Sequence, residues 1–384
     1  MIDTAFPYSQ YVTGKNFVGR RADVTLMSNL LSQGENVLLS EPPKSGKTSL
    51  VQQALFSMRM SGKVFTVGQF SALNIRTPED FLLRLGNTLL RMVASSPSEY
   101  AALVEQFLGG THFIFDPNAY SEEDKVLSLN WEMDQSDVHA MLRFPYALVQ
   151  EKGSRFILIL DEFQSLLNLE NPDQILRPLD ACMREMQENK LFSWVICGSG
   201  VNAMKSIFQS SMLFHRLLER VHLSPVDEME MADHVHKGFL SAGKVVEKEL
   251  LQGACRLFRG HLWYINHFAA ICDAMSKGYI VEQTLVEALG CLVSIHEPRF
   301  NAIMEDLTTH QVNFLRATVD GVTRFSAADV IRKYGLNSSA NVKRVKEALM
   351  KKEVLCFDEN DNPQILDPLF EYWLRKYFFE LQEA

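Results

Sequence analysis

Residues 40–50, Ser-Glu-Pro-Pro-Lys-Ser-Gly-Lys-Thr-Ser-Leu, follow the short apolar run Asn36-Val37-Leu38-Leu39. They match the phosphate-binding pattern G-x-x-x-x-G-K-[ST] at Gly46, Lys47 and Thr48, and depart from it at the first glycine, where Glu41 stands. A strand that stops and reverses into a helix N-terminus presents a cluster of backbone N–H groups to an anion. Gly46 lets the backbone come close, Lys47 can reach the terminal phosphates, and the Thr48 hydroxyl can bind Mg2+. Nucleotide contacts are expected along Pro43, Lys44, Ser45, Gly46, Lys47, Thr48 and Ser49. A bare G-K-[ST] arises by chance in roughly a fifth of chains of this length, so the loop needs independent support.

Two further stretches supply it. Arg155–Phe163, Arg-Phe-Ile-Leu-Ile-Leu-Asp-Glu-Phe, reads as a buried strand ending in acids. Asp161 could hold Mg2+, directly or through water, and Glu162 could orient or deprotonate an attacking water. One strand later comes Ser199, in Cys197-Gly198-Ser199-Gly200, where a polar side chain could sense a γ-phosphate. An acid pair that merely caps a strand is common. Three elements in the right order, each on the right kind of structure, are a stronger joint signal. Glu41 is the counter-argument. A carboxylate about 6–8 Å from a phosphate costs roughly 2 kcal/mol per unit charge at an effective dielectric of about 20. Pairing with Lys44 or exposure to solvent would reduce this, and Pro42 biases Glu41 toward extended backbone. Nucleotide binding is therefore expected to survive. The alternative is a degenerate loop in a regulatory module that binds nucleotide, DNA or protein without hydrolysis.

These residues need a scaffold. Residues 36–40, 63–70, 155–163 and 192–200 read as strands, and 17–31, 47–60 and 77–93 as helices, with Thr77 as an N-cap. Strands alternating with helices predict an α/β fold, a parallel sheet with helices on both faces. Beyond Leu223-Ser224-Pro225-Val226-Asp227 the strand signal fades. Residues 228–295 are helical in pattern, and the segment from 305 onward has helices followed by a hairpin around Asn360-Asp361-Asn362-Pro363, the plan of a winged helix.

Length and composition agree. The 384 residues suffice for two or three domains, and apolar and charged fractions of 47% and 22% are ordinary for a globular protein. The net charge of −9 argues against a surface that grips nucleic acid everywhere. It is unevenly placed. Residues 95–138 carry nine acids and one base (−8), and residues 324–352 carry eight bases and two acids (+6). The first stretch, broken by Gly109-Gly110 and Asp116-Pro117, reads as an insertion or surface excursion with a solvated acidic face. Six cysteines without a C-x-x-C pair suit a reducing cytosol. No secretory signal and no membrane-spanning run is seen, so a cytoplasmic location is expected. His234 and His236, two apart on a helix, point to different faces and do not make a metal site.

Taken together, residues 17–31, 36–51, 156–166, 194–200 and 215–226 resemble the prokaryotic archaeal-type P-loop ATPases of the AAA+ and STAND class. The likeness extends to Gly260–Ala269, similar to the family's lid-helix turn, and Ile365–Phe378, similar to its C-terminal signature. It implies an ATPase core over 1–227, a helical lid over 228–300 and a winged-helix domain over 301–384. It also implies ATP and Mg2+ as ligands, a homo-oligomer as a possible assembly, and Val18 and Gly19 near the adenine. Arg216 would correspond to the family's arginine after the sensor strand, although His215 stands where the family has glycine and Arg220 is a rival. In the winged helix, Lys343, Arg344, Lys346, Lys351 and Lys352 lie on the segment expected to be the recognition helix. Duplex DNA and a protein surface are its two candidate partners.

Overall fold

The computed structural model describes residues 5–211 and 213–381. The chain divides into two compact units. One comprises Ala22–Glu41 and Ala54–His222; the other comprises the residues up to Arg21, Pro42–Gln53, and everything from Leu223 onward.

The first unit is built on a five-stranded parallel sheet. Its strands lie in the order Thr66–Ser71, Phe156–Asp161, Phe192–Gly198, Val37–Ser40, Glu219–Arg220. The strand Phe156–Asp161 is buried at every position but its last, as expected when helices cover both faces of a parallel sheet. Pro78–Val93 shows how local chemistry sets a flanking helix. The Thr77 hydroxyl accepts from Asp80 N at 3.2 Å, Pro78 opens the first turn, and Phe81, Leu82, Leu85 and Leu89 form its buried stripe.

The acidic stretch 95–138 is not a surface excursion. Ser96 and Glu99 form a capping box at the helix Pro97–Leu108, and an antiparallel hairpin pairs Phe113–Phe115 with Leu127–Leu129. Tyr100, Leu103, Leu108, Phe113 and Leu127 are buried in the core of this unit, while Glu99, Glu105, Glu122, Glu123 and Asp124 face solvent. The acids form a solvated face, and the apolar residues between them anchor the segment. Asp137 is the exception. It is fully buried, accepts from His112 N and Asp134 N at 2.8 Å each, and closes the capping box of the helix Gln135–Lys152.

The second unit carries the helices Glu228–Ser241, Lys248–Leu257, Leu262–Met275 and Glu282–Glu305. Then come Thr309–Val319, Ala328–Tyr334 and Ser339–Lys351, the hairpin Leu355–Phe357 with Pro363–Ile365, and Pro368–Trp373. The hairpin turn is tied by Asp358, which accepts from Asn360 N at 2.9 Å and Asn362 N at 2.8 Å. Ser338 caps Ser339–Lys351. Phe258, Phe268, Leu292, Phe300, Phe314, Leu349 and Trp373 belong to one core. Among the described residues, no helix is long and apolar enough to cross a membrane.

Candidate phosphate-binding site

In the sheet unit, parallel strands bring three chain segments to one edge. Ser40 lies opposite Gly198, and Glu41 N donates to the Gly198 carbonyl at 3.3 Å. The neighbouring strand ends at Asp161. Glu162 then adopts a left-handed backbone (φ +52°), and its N–H donates to Asp161 Oδ1 at 2.9 Å. The Ser199 hydroxyl donates to Glu162 Oε2 at 2.6 Å, and the Gln164 amide donates to the same oxygen at 2.5 Å. Asp161, Glu162 and Ser199 are thus brought together, with Gln164 as a fourth member. Gly198 makes room for it, since a Cβ there would fall 2.6 Å from Gln164 Oε1 and 2.4 Å from Met204 Sδ. Open α/β sheets bind their ligands at such carboxyl ends of strands.

Of the two ways in which the Glu41 charge could be relieved, pairing with Lys44 is not the one seen. The Glu41 carboxylate faces His222, with Oε1 3.5 Å from Nδ1. Arg216 sits on an exposed turn with a left-handed backbone (φ +60°). Its rival Arg220 meets Gln209 at 2.7 Å, with the amide oxygen turned to the guanidinium.

The other unit holds the loop itself. Gly46 has φ +104°, which favours glycine, and a Cβ there would fall 2.8 Å from Arg20 Nη1. Arg20 braces the loop by donating to the Ser45 carbonyl at 2.8 Å and the Ser224 carbonyl at 2.9 Å. Lys47 is buried, and its ammonium donates to the Pro42 carbonyl at 2.9 Å. Thr48 lies in the first turn of the helix Lys47–Met60, and the Ser49 hydroxyl accepts from Val12 N at 3.2 Å. Lys44 (φ +59°) points away to the face of Trp263, its ammonium 3.6 Å from the ring centre. His261 Nε2 lies 3.4 Å from the Pro43 carbonyl.

Beside the loop a cleft of about 80 Å3 is lined by Tyr8, Phe17, Val18, Ser49, Trp263 and Asn266 among others. Val18 is therefore on its wall. Gly19 is a turn residue (φ +66°) packed so closely on Val226 that a Cβ would come within 2.9 Å. Trp263 Nε1 donates to the Tyr8 carbonyl at 2.7 Å, which fixes the indole.

Sequence reasoning missed Arg20, Gln164 and Trp263. Gln164 had a weak signal, since it stands two residues after Glu162. Arg20 and Trp263 had none, because their roles depend on partners distant in the chain.

Of the five bases on the recognition-helix segment, Lys343, Arg344 and Lys351 are exposed and form no ion pair among the described residues. The other two are engaged within the fold. Lys346 pairs with Asp361 of the wing and lies 3.7 Å over Phe357, and Lys352 pairs with Asp306.

A family model described as a probable winged helix domain matches residues 298–376. The chain is similar to a solved Walker-type ATPase of Pyrococcus abyssi, with a TM-score of 0.69 and 17% identity, covering 97% of this chain and 100% of that one. It is also similar to the ORC2 protein of Aeropyrum pernix in ADPNP–ADP complexes, with a TM-score of 0.57 and 13% identity over 95% and 93% of the two chains. No curated protein matches the sequence. At these identities the likeness is one of fold. This chain has the fold of the Walker-type AAA+ ATPases, a five-stranded parallel sheet with flanking helices followed by a helical region and a C-terminal winged helix.

Proposed function

We propose that the protein binds ATP with Mg2+, hydrolyses it, and acts as a nucleotide-driven switch. The observation that carries this reading is the cluster of Asp161, Glu162 and Ser199 at the edge where the strand Val37–Ser40 runs on into the Gly46-Lys47-Thr48 loop. The residues fit the ligands. Gly46 supplies the positive-φ turn of the loop, and the ammonium of Lys47 rests on a backbone carbonyl that a phosphate oxygen can replace. Thr48 and Asp161 would hold Mg2+, which supplies charge neutralisation for the phosphates.

In this reading Glu162 accepts the proton of the attacking water. The water oxygen bonds to the γ-phosphorus, and the bond from that phosphorus to the bridging oxygen of ADP breaks. The Ser199 hydroxyl has one hydrogen, now given to Glu162, and the same hydrogen can be given to a γ-phosphate oxygen. Pro43, Lys44, Ser45, Gly46 and Ser49 line the phosphate path, and Val18 and Gly19 stand toward the base. At about 80 Å3 the cleft is well below the roughly 300–1,000 Å3 of ligand pockets, so a nucleoside enters only if Tyr8 or Trp263 gives way. Arg216, exposed on its turn, would act across an interface on a neighbouring subunit's ATP.

The test is Mg-dependent turnover and nucleotide affinity. Lys47→Ala should abolish binding. Glu162→Gln should keep binding and stop turnover. Equal affinity in wild type and Lys47→Ala would end the phosphate-loop reading, and unaltered turnover in Glu162→Gln would remove Glu162 from the mechanism. Mixing Lys47→Ala with Arg216→Ala protein should restore some turnover if Arg216 acts in trans.

For the winged helix, the exposed Lys343, Arg344 and Lys351 support duplex DNA as the partner. The acidic wing, whose Asp361 already neutralises Lys346, supports a protein partner instead. Anisotropy titrations of duplex DNA across salt concentrations decide. Replacing the three exposed bases by alanine should flatten the salt slope by about two to three units. An absence of salt-dependent binding at low ionic strength would favour the protein partner.

A further inference from the structure

A second cavity, of about 290 Å3, lies within the lid and winged-helix unit and shares Lys44 and Trp263 with the narrow cleft. Its walls come from Pro43 and Lys44 of the loop, from the helices Leu262–Met275 and Glu282–Glu305, and from the Asp367 turn that opens the last helix. Part of its polar wall is already satisfied. The Tyr264 hydroxyl donates to Asp367 Oδ2 at 2.8 Å, and Arg299 donates to Asp367 at 2.6 Å and to the Tyr264 oxygen at 2.8 Å. Asp367 and Arg299 therefore neutralise each other, as do Lys352 and Asp306.

Two groups are left over. Among the described residues no carboxylate pairs with Lys44, whose ammonium has only the Trp263 face. Partial burial, then the Arg299 charge, hold it below the usual lysine range. The second is His296. Its Nε2 is shut off from solvent and has no hydrogen-bond partner, and burial, with Arg299 and His267 adding to it, pushes its pKa down to about 4, so the ring is neutral. Between these two groups and the apolar side chains of Ile303 and Phe370 lies a space near the lower end of ligand-pocket sizes. With Arg299 and Lys352 already paired, the single ammonium of Lys44 on the wall matches one negative charge rather than a triphosphate.

We propose that this cavity binds a small organic monoanion, a carboxylate or phosphate monoester with an apolar body, separately from the phosphate-binding loop. The anionic group replaces the indole as the partner of Lys44. The apolar body packs on Ile303, Phe370 and the ring of His296, whose Nε2 is itself closed off. Because Lys44 and Trp263 line both this cavity and the narrow cleft, the occupant would alter the nucleotide site through that pair.

Calorimetric titration of the full chain with benzoate, phenyl phosphate and inorganic phosphate tests this. At least one of the two aromatic probes should bind with a dissociation constant below about 10 mM, and about tenfold or more tighter than inorganic phosphate. Which one binds names the anionic class. Lys47→Ala should leave that affinity within about twofold, while Ile303→Trp, which fills the cavity, and His296→Gln, which keeps the side chain's polarity but not its ring, should weaken it about tenfold. Circular dichroism and melting curves check that the variants fold, and His296→Gln decides alone if Ile303→Trp does not. Loss of probe binding in Lys47→Ala would place the anion in the phosphate loop and overturn the proposal, as would no binding to wild type or unchanged binding in His296→Gln. Because the Lys47→Ala arm needs no ATP, the result stands apart from the hydrolysis reading.

Discussion

The acid cluster at the sheet edge and the aromatic–histidine cluster around the phosphate loop are built on opposite principles. Around Glu162, side chains from two strand ends satisfy one another at 2.5–3.3 Å. Around Trp263, the loop residue Lys44 rests on a ring, His296 Nε2 goes unpartnered, and Lys47 rests on its own backbone. In the first, the Ser199 and Gln164 donors are used within the cluster and only Gln164 Oε1 is left without a hydrogen-bond partner, so a ligand that takes those donors must rearrange it. The second has unanswered groups, so ligand binding can complete it.

The sharpest way to test this contrast is at Glu162. Glu162→Gln should lower turnover by roughly 10²–10⁴-fold, the range for loss of a general base, with nucleotide affinity nearly unchanged. Ser199→Ala should lower turnover by about tenfold, since one of two donors to Glu162 remains. Steady-state kinetics with direct nucleotide titration separate the two effects, and a Ser199→Ala loss as large as that of Glu162→Gln would show that the cluster works only as a whole. On the other side, Trp263→Ala should change nucleotide affinity by about fivefold to tenfold and leave turnover at saturation within about twofold. A reversed pattern would move Trp263 into the reaction itself.

A smaller effect comes from pH. His296 has its pKa lowered from 6.5 to about 4. Above 6.5 neither the folded nor the unfolded ring is charged. Between 6.5 and about 4 the unfolded chain takes up a proton that the folded chain refuses, so the stability present above 6.5 is lost as pH falls through that window. Burial is the main cause of the shift, Arg299, His267 and Lys44 add to it, and Asp367 opposes it. Melting curves from pH 8 to 4 should therefore fall less steeply in His296→Gln than in wild type, and parallel curves would contradict the neutral, buried ring. Smallest of all is Glu41. With its half-buried carboxylate turned to His222, Glu41→Gly should change ATP affinity by less than about threefold, as a charge already facing another group does. A larger gain would mean that the carboxylate turns toward the phosphates when nucleotide is bound.

The same contrast explains what could be read from the sequence. The strands Phe156–Asp161 and Phe192–Gly198 announce themselves as unbroken apolar runs, and a strand end fixes the place of the residue after it, so Asp161, Glu162 and Ser199 were legible. Thr77 and Ser338 were legible as caps because capping is a local event. The segment 95–138 misled because its acids dominate composition, while Tyr100, Leu103 and Phe113 are buried by partners distant in the chain. Arg20, Trp263 and His296 stayed hidden for a related reason. Each acts on a group far away in sequence, and neither periodicity nor spacing records such a meeting.

The loop Pro42–Gln53 belongs to the same compact unit as the residues after Leu223, although nearly 170 residues of chain lie between them. Arg20 is held by Ser224, His261 faces Pro43, and Lys44 lies on Trp263. A stop codon near residue 223, which on paper removes a tail and spares the Gly46-Lys47-Thr48 loop, would strip that loop of its supports. In genetic terms the two halves are not separable cassettes. A loss of ATP binding in such a truncated chain would say nothing about what the winged helix recognises, and that question calls for point substitutions in the intact protein.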